Sequence, residues 1–321
     1  MTLLDLEKGF DKVWHEALLH KLLVDKAPNF LVKITRSFLM DRESFVFLEG
    51  KTSGRMVIPA GVPQGSPLSP HLFIRFINDV PVPRKCKMAI FADDTALTSS
   101  VKNYDLESLV QALEEGLAMV QAHFESWKMC LNQQKTEVIL FTKSSRMIKD
   151  RAEHKIHFGG EQLEWSDAVK YLGVTLDAKL LFKHHIELSL KKSNGAIALL
   201  YSMLKKHNSL PIKQKLSMYR TYIRPILTYA CPVFSHCAKT HKQKLQTFQN
   251  KCLRMALSAE YCTRIADLHR ESRIPTIDQF VGKLTENFYK RCDSSSNKLI
   301  KRLGAVPVSH LASLKHRMPR R

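Results

Sequence analysis

The chain has 321 residues, 44% of them hydrophobic, and a formal net charge of +20. That composition sets the expectation of a packed core, and no apolar run reaches the ~18 residues of a membrane-spanning helix. The seven cysteines are odd in number and scattered, which fits a reduced intracellular compartment, nucleus or cytoplasm, better than a disulfide scaffold. The start shows no basic, apolar and small-residue succession of a signal peptide. The charge is lopsided: residues 1–160 hold 21 Lys+Arg against 19 Asp+Glu, and residues 161–321 hold 29 against 11. A near-neutral half followed by a basic half suggests that one carries chemistry and the other holds a polyanion. Solubility alone is the plainer reading of the charge.

In chain order, "MTLLDLEKGF" reads as a buried strand interrupted by one acid, Asp5. Val13, Trp14, Leu18 and Leu22 then share a helical face. Residues 45–58 read as a hairpin of two β-rich runs around a Gly, Thr and Ser turn. "GVPQGSPLSP" is a Gly/Pro loop, and Ser69-Pro70 mark a helix start for the stripe of Leu72, Phe73, Phe76, Ile77 and Val80. "CKMAIFADDTALTSS" reads as strand, turn and strand, with Asp93 and Asp94 at the turn. From Leu106 to Trp127 the apolar period is helical. "LNQQKTEVILF" returns to a strand and "KYLGVTLD" is a short strand pair. The later apolar spacing, through Ile186–Leu204, Leu216–Ile223 and Leu245–Met255, is helical. The coarse picture is α+β followed by α-helical.

Asp5 and the Asp93/Asp94 pair share a context, an acid at the end of an apolar strand. Adjacent like charges at ~4 Å and an effective dielectric of ~20 repel by about 4 kcal/mol, so something positive must offset them. Converging carboxylates are the usual cradle for Mg²⁺, which takes phosphate oxygens as further ligands. Two such ions clamp the attacking and leaving oxygens of a phosphoryl displacement. Asp-Asp-Thr is also ordinary hairpin chemistry, and spacing alone leaves both readings open. A glycosidase carboxylate pair is weaker, because no aromatic sugar platform surrounds these acids. Cys231, Cys237, His236 and His241 match no zinc spacing.

"LLDLEKGFDKVWH", "GVPQGSPLSP", "FADD", "LNQQKTEVILF" and "KYLGVTLD" occur in that order. Together they resemble the reverse transcriptase of non-LTR retrotransposons, close to the jockey-like elements of arthropods. "YIRPILTYACPVF" and "LQTFQNKCLRMAL" resemble the tail that follows the polymerase core. The resemblance implies a reverse-transcriptase palm, an antiparallel sheet with packed helices, in residues 1–180 with a remnant of the fingers. It implies an α-helical thumb and basic C-terminal region in residues 181–321. The implied activity is RNA-directed DNA polymerisation, with two Mg²⁺ ions (Mn²⁺ as a substitute) serving nucleotidyl transfer to a primer 3′-OH. The implied partners are an RNA template, a DNA primer and deoxynucleoside triphosphates, with no membrane.

By the same resemblance Asp5, Asp93 and Asp94 are the metal ligands. Phe10 sits under the sugar and excludes a 2′-OH, although a core aromatic is its plainer reading. Gln64 and Gly65 contact the incoming nucleotide and template. Lys135 protonates the pyrophosphate leaving group. Tyr171, Leu172 and Gly173 belong to the primer grip. Lys242, Lys244, Lys251 and Arg254 lie on one predicted helix, near enough together to track phosphates.

Several positions depart from the family pattern. Gly9 stands where alanine is usual, and Arg75 falls where the family places an apolar residue, which would be costly if buried unpaired. Asp5 lies almost at the start, so the expectation is a chain without most of its fingers or an upstream endonuclease, extending primers poorly. A second reading, from another class, is a catalytically inactive nucleic-acid-binding remnant of a transposable element.

Overall fold

The strand Thr2–Asp5 runs through the centre of a five-stranded sheet. The order across the sheet is Trp165–Ser166, Glu137–Ile139, Thr2–Asp5, Asp94–Ser99 and Cys86–Phe91. Only the Trp165–Ser166 and Glu137–Ile139 pair is parallel; the other pairings are antiparallel. Side chains alternate across a strand, so Leu4 and Leu97 point one way and Asp5 and Asp94 the other. Leu4, Leu97 and Val138 belong to one core with Phe73, Leu113 and Leu117. Helices thus cover one face of the sheet, and the acids stand on the opposite face.

The structure, a computed structural model, describes residues 1–102, 104–205 and 208–304. The chain divides into two units at Leu172 and Gly173. In the first unit the 21-residue helix Leu106–Ser126 follows its sequence period closely. Asp105 caps it by accepting the Ser108 N–H at 2.9 Å, which satisfies one of the orphan donors of the first turn. The hairpin spans residues 43–57, with Glu43–Ser44 paired to Met56–Val57 and Phe47–Leu48 to Lys51–Thr52; its turn is Glu49–Gly50, both at positive φ, and Thr52, expected in the turn, lies in a strand.

The helix after the Gly/Pro loop begins at Leu68, not after Ser69. Ser69 is buried, and its hydroxyl donates to the Pro63 carbonyl at 2.6 Å, so it fastens the loop instead of capping the helix. The strand expected from Leu131 is delayed: Gln133–Lys135 forms a 3₁₀ turn, and the strand is Glu137–Ile139. Asn132 imposes the turn, because its side chain accepts the Lys135 N–H at 3.2 Å.

The second unit is helical, with Lys183–Leu204, Lys239–Leu257 and Ile277–Asp293 its longest elements. Its core gathers Ile186, Tyr219, Phe234, Leu253 and Ile277. Between Ile212–Met218 and Arg224–Thr228 the backbone widens into a π-helical stretch at Tyr219–Ile223. The Lys183–Leu204 helix is entered through a loop tied by Asp177, whose carboxylate accepts from the N–H groups of Leu181 at 2.9 Å and Phe182 at 2.6 Å. The last part of the basic C-terminal region, residues 305–321, lies outside the described residues.

Candidate active site

Asp5 ends the central strand and pairs in register with Asp94, which begins the neighbouring one. Asp94 also pairs with Phe91, so Ala92 and Asp93 form a two-residue hairpin loop. Ala92 has φ +52°, the positive value that tight hairpin turns demand at their first loop position. The turn therefore sets Asp93 beside Asp94, and the strand register sets Asp94 opposite Asp5. Burial, then the neighbouring charges of Asp93 and Asp5, push the Asp94 carboxyl above its ordinary value.

A pocket of about 230 Å³ opens over this pair, lined by Asp5, Asp94, Lys135, Glu137, Lys170 and Tyr171 among others. The Lys135 ammonium lies 3.2 Å from Asp5. Burial and then Asp94 raise the Tyr171 phenol above its usual value. Leu172 and Gly173, the next two residues, both have positive φ, +45° and +79°, as a type I′ turn requires. Lys170 opens the KYLGV segment that resembles the primer grip, whereas no role for Glu137 is legible in the sequence. Glu137 pairs with Leu3, two residues from Asp5, so it shares the acid face. That register is a pairing between distant segments and has no local signal.

Phe10, Gln64 and Gly65 fall into a neighbouring group outside that pocket's lining. The loop that carries the latter two is laced to the segment after Asp5. Gly61 N–H donates to the Val13 carbonyl at 2.8 Å, and Val62 N–H to the Phe10 carbonyl at 2.9 Å. The Gln64 side-chain amide donates to Asp11 at 3.0 Å. Gly61 has φ +88°, and a Cβ there would lie 2.7 Å from the Asp11 carbonyl oxygen, so this contact demands glycine. Phe10 stacks on Phe73 with ring centroids 4.2 Å apart. It is half-buried, so one side packs and another remains reachable. Gly9 has a local reason: an alanine Cβ would come within 3.1 Å of the Phe73 ring.

Arg75 meets neither condition of that cost. It is exposed and pairs with Asp25 at 3.4 Å, so the expected cost does not arise. The basic residues of the Lys239–Leu257 helix are less uniform than their spacing implied. Lys242 pairs with Asp278 at 2.8 Å, Lys244 with Glu187 at 3.4 Å, and the Arg254 guanidinium lies over the Tyr261 ring. Lys244 and Lys251, seven residues apart, share an exposed face. Cys231 and Cys237 are buried in the second unit's core.

Among the described residues no three His, Cys, Asp or Glu side chains are gathered so as to hold a metal ion by themselves. The acid pair nevertheless fits Mg²⁺ by donor chemistry. That ion is ordinarily held by one or two carboxylates, with water and substrate phosphate completing its shell, and not by an all-protein cage.

Residues 1–176 match the family model described as reverse transcriptase (RNA-dependent DNA polymerase). The RNA-directed DNA polymerase from mobile element jockey of Drosophila melanogaster is 29% identical over 313 residues, covering 95% of this chain and 33% of that protein. The protein of the same name from Drosophila funebris is 31% identical over 326 residues, covering 99% of this chain and 35% of its own length. The chain therefore spans about a third of these relatives. Among solved structures, apo telomerase from Candida tropicalis aligns over 94% of this chain and 52% of its own, at 12% identity and a TM-score of 0.38.

Proposed function

The chain belongs to the reverse transcriptase family, and from that premise we infer that it carries the polymerising centre of a non-LTR mobile element. The reaction is RNA-directed addition of deoxynucleotides to a primer 3′-OH, with release of pyrophosphate. The observation that carries this reading is the register of Asp5 with Asp94, with Asp93 in the adjoining turn. A sheet that sets carboxylates side by side on its open face spends stability there, and a divalent cation is the partner that recovers it.

Asp5, Asp93 and Asp94 would hold the divalent cations, Mg²⁺ or Mn²⁺. When bound, the ions supply charge neutralisation to the attacking and leaving oxygens. The remaining roles belong to the chain's own side chains. Lys135, beside Asp5, is placed to give a proton to the departing pyrophosphate. Phe10, braced by Phe73, bounds the sugar site and leaves no room for a 2′-OH. The loop of Gln64 and Gly65 approaches nucleotide and template closely because its glycines expose backbone. The turn of Tyr171, Leu172 and Gly173 steadies the primer end. Such chemistry is mainly positioning and electrostatics.

The excess of 29 basic over 11 acidic residues in 161–321 supports a companion role in holding the template–primer duplex. Primer extension on an RNA template with Mg²⁺ tests the whole reading. Extension by the wild-type chain that Asp5→Asn abolishes supports it. Duplex binding that weakens with salt, without any extension, would favour the non-catalytic remnant.

A further inference from the structure

Lys135 and Asp5 form an ion pair that the catalytic roles above leave unexplained. A proton donor for pyrophosphate needs to lie near phosphate, yet its ammonium rests 3.2 Å from a carboxylate assigned to metal. The pair is built in by the backbone. Asn132 N–H donates to the Asp5 carbonyl at 2.8 Å, and Glu7 N–H to the Cys130 carbonyl at 2.9 Å. Leu6 bridges Leu131 between them. Asn132 then caps the turn that ends in Lys135, accepting its N–H at 3.2 Å, while the Thr136 hydroxyl donates to the Asn132 carbonyl at 2.8 Å. The strand that carries Asp5 thus anchors the turn that carries Lys135.

The two ends of that lysine differ in freedom. Its backbone is fixed, whereas its side chain is 68% exposed against 25% for Asp5. A long, solvated stem on a fixed base can leave the carboxylate without moving the fold. An ammonium and a divalent cation compete for Asp5, because like charges at such range repel.

We propose that Lys135 is a displaceable counter-ion of Asp5. Its ammonium neutralises the carboxylate while no divalent cation is bound. Entry of the cation releases it, and the freed ammonium turns to the nearest new anion, the triphosphate. One side chain then links metal loading to the arming of the proton donor. This inference rests on the metal reading of Asp5 given above.

Mn²⁺ titration of the 321-residue chain, followed by electron paramagnetic resonance of the free ion, tests it without any turnover. Lys135→Met should bind Mn²⁺ about two- to fivefold more tightly than wild type, the range expected for losing a largely exposed ion pair. Lys135→Arg keeps the charge and should stay near wild type. Addition of a deoxynucleoside triphosphate should erase or reverse the advantage of Lys135→Met, since wild type then regains a partner for its ammonium. Asp5→Asn should lose the Mn²⁺ site. Equal or weaker binding by Lys135→Met, with Asp5→Asn still defective, overturns the counter-ion role and leaves the metal site standing. Mn²⁺ binding indifferent to Asp5→Asn overturns the metal reading, and the counter-ion role with it.

Discussion

Asp5 and Asp94 are direct partners across two antiparallel strands, a spacing at which opposed like charges destabilise a sheet. Burial and the neighbouring acids raise the Asp94 pKa, so the folded chain holds this proton more tightly than the unfolded chain does. Stability therefore falls as pH rises from the unfolded value near 3.8 through the raised folded value, and stays lowered above it. Asp94→Asn should be more stable than wild type at neutral pH and lose that advantage in acid. Solvent screening keeps the gain below about 1 kcal/mol. Thermal melts of both proteins across the acid range check the sign, and a gain that grows toward low pH contradicts it.

Asp5→Asn and Asp93→Asn should each lower primer extension by at least about 100-fold, the scale of losing one preorganised electrostatic group. Far-UV circular dichroism should not change, because neither side chain contributes to the hydrophobic core. Extension assays with Mg²⁺ and with Mn²⁺ separate a lost ligand from a lost fold.

Phe10→Val should admit ribonucleotides. Shortening the ring opens the space assigned to the 2′-OH, with a shift in selectivity on the order of tenfold or more. It also removes the stack on Phe73, at about 0.5–1.5 kcal/mol beyond the lost burial. Competing ribo- and deoxyribonucleotide incorporation measures the first effect and denaturant unfolding the second. A stability loss with an unchanged ratio returns Phe10 to a purely structural role.

Gly61 and Gly65 should respond differently to alanine. Both have positive φ, but a Cβ meets the Asp11 backbone at Gly61 and open space at Gly65. Gly65→Ala should cost about 1–2 kcal/mol, the strain of a left-handed L-residue. Gly61→Ala should cost more, because the loop must also leave Val13 and Phe10. Urea midpoints at constant slope give the comparison, and equal shifts would show that the close approach to Asp11 relaxes cheaply.

Much of the fold was written locally. The Leu106–Ser126 helix, the 43–57 hairpin and the strand–turn–strand around Asp93 follow from period and turn chemistry, which act over a few residues. The Asp5–Asp94 register, the place of Glu137 on the acid face and the grip of Lys135 on Asp5 depend on pairings between distant segments. The five ordered motifs indicated that these residues belong together, but not which atoms meet. Arg75 stands where the family places an apolar residue, yet at the margin of the apolar stripe its long side chain reaches out to Asp25. Ser69 differs as a helix start because the helix already begins at Leu68, and its hydroxyl donates back to the Pro63 carbonyl of the loop.

The bond from Asn132 to Asp5 closes a loop of well over a hundred residues, and the Asp5–Asp94 pairing closes another inside it. Contacts this remote in sequence are slow to form, because chain entropy is lost before they return any stability. On the ribosome the central strand emerges before its partners, which follow about ninety and then about one hundred and thirty residues later, at roughly 5–20 residues per second. For those seconds the strand edges that will carry Asp5 have no native neighbour. Domain order in synthesis thus becomes a hazard of its own: an unpaired apolar strand is a template for the wrong partner. The Asp5 carboxylate that costs the finished sheet stability also protects the waiting strand, since a charge at its end disfavours stacking of identical copies.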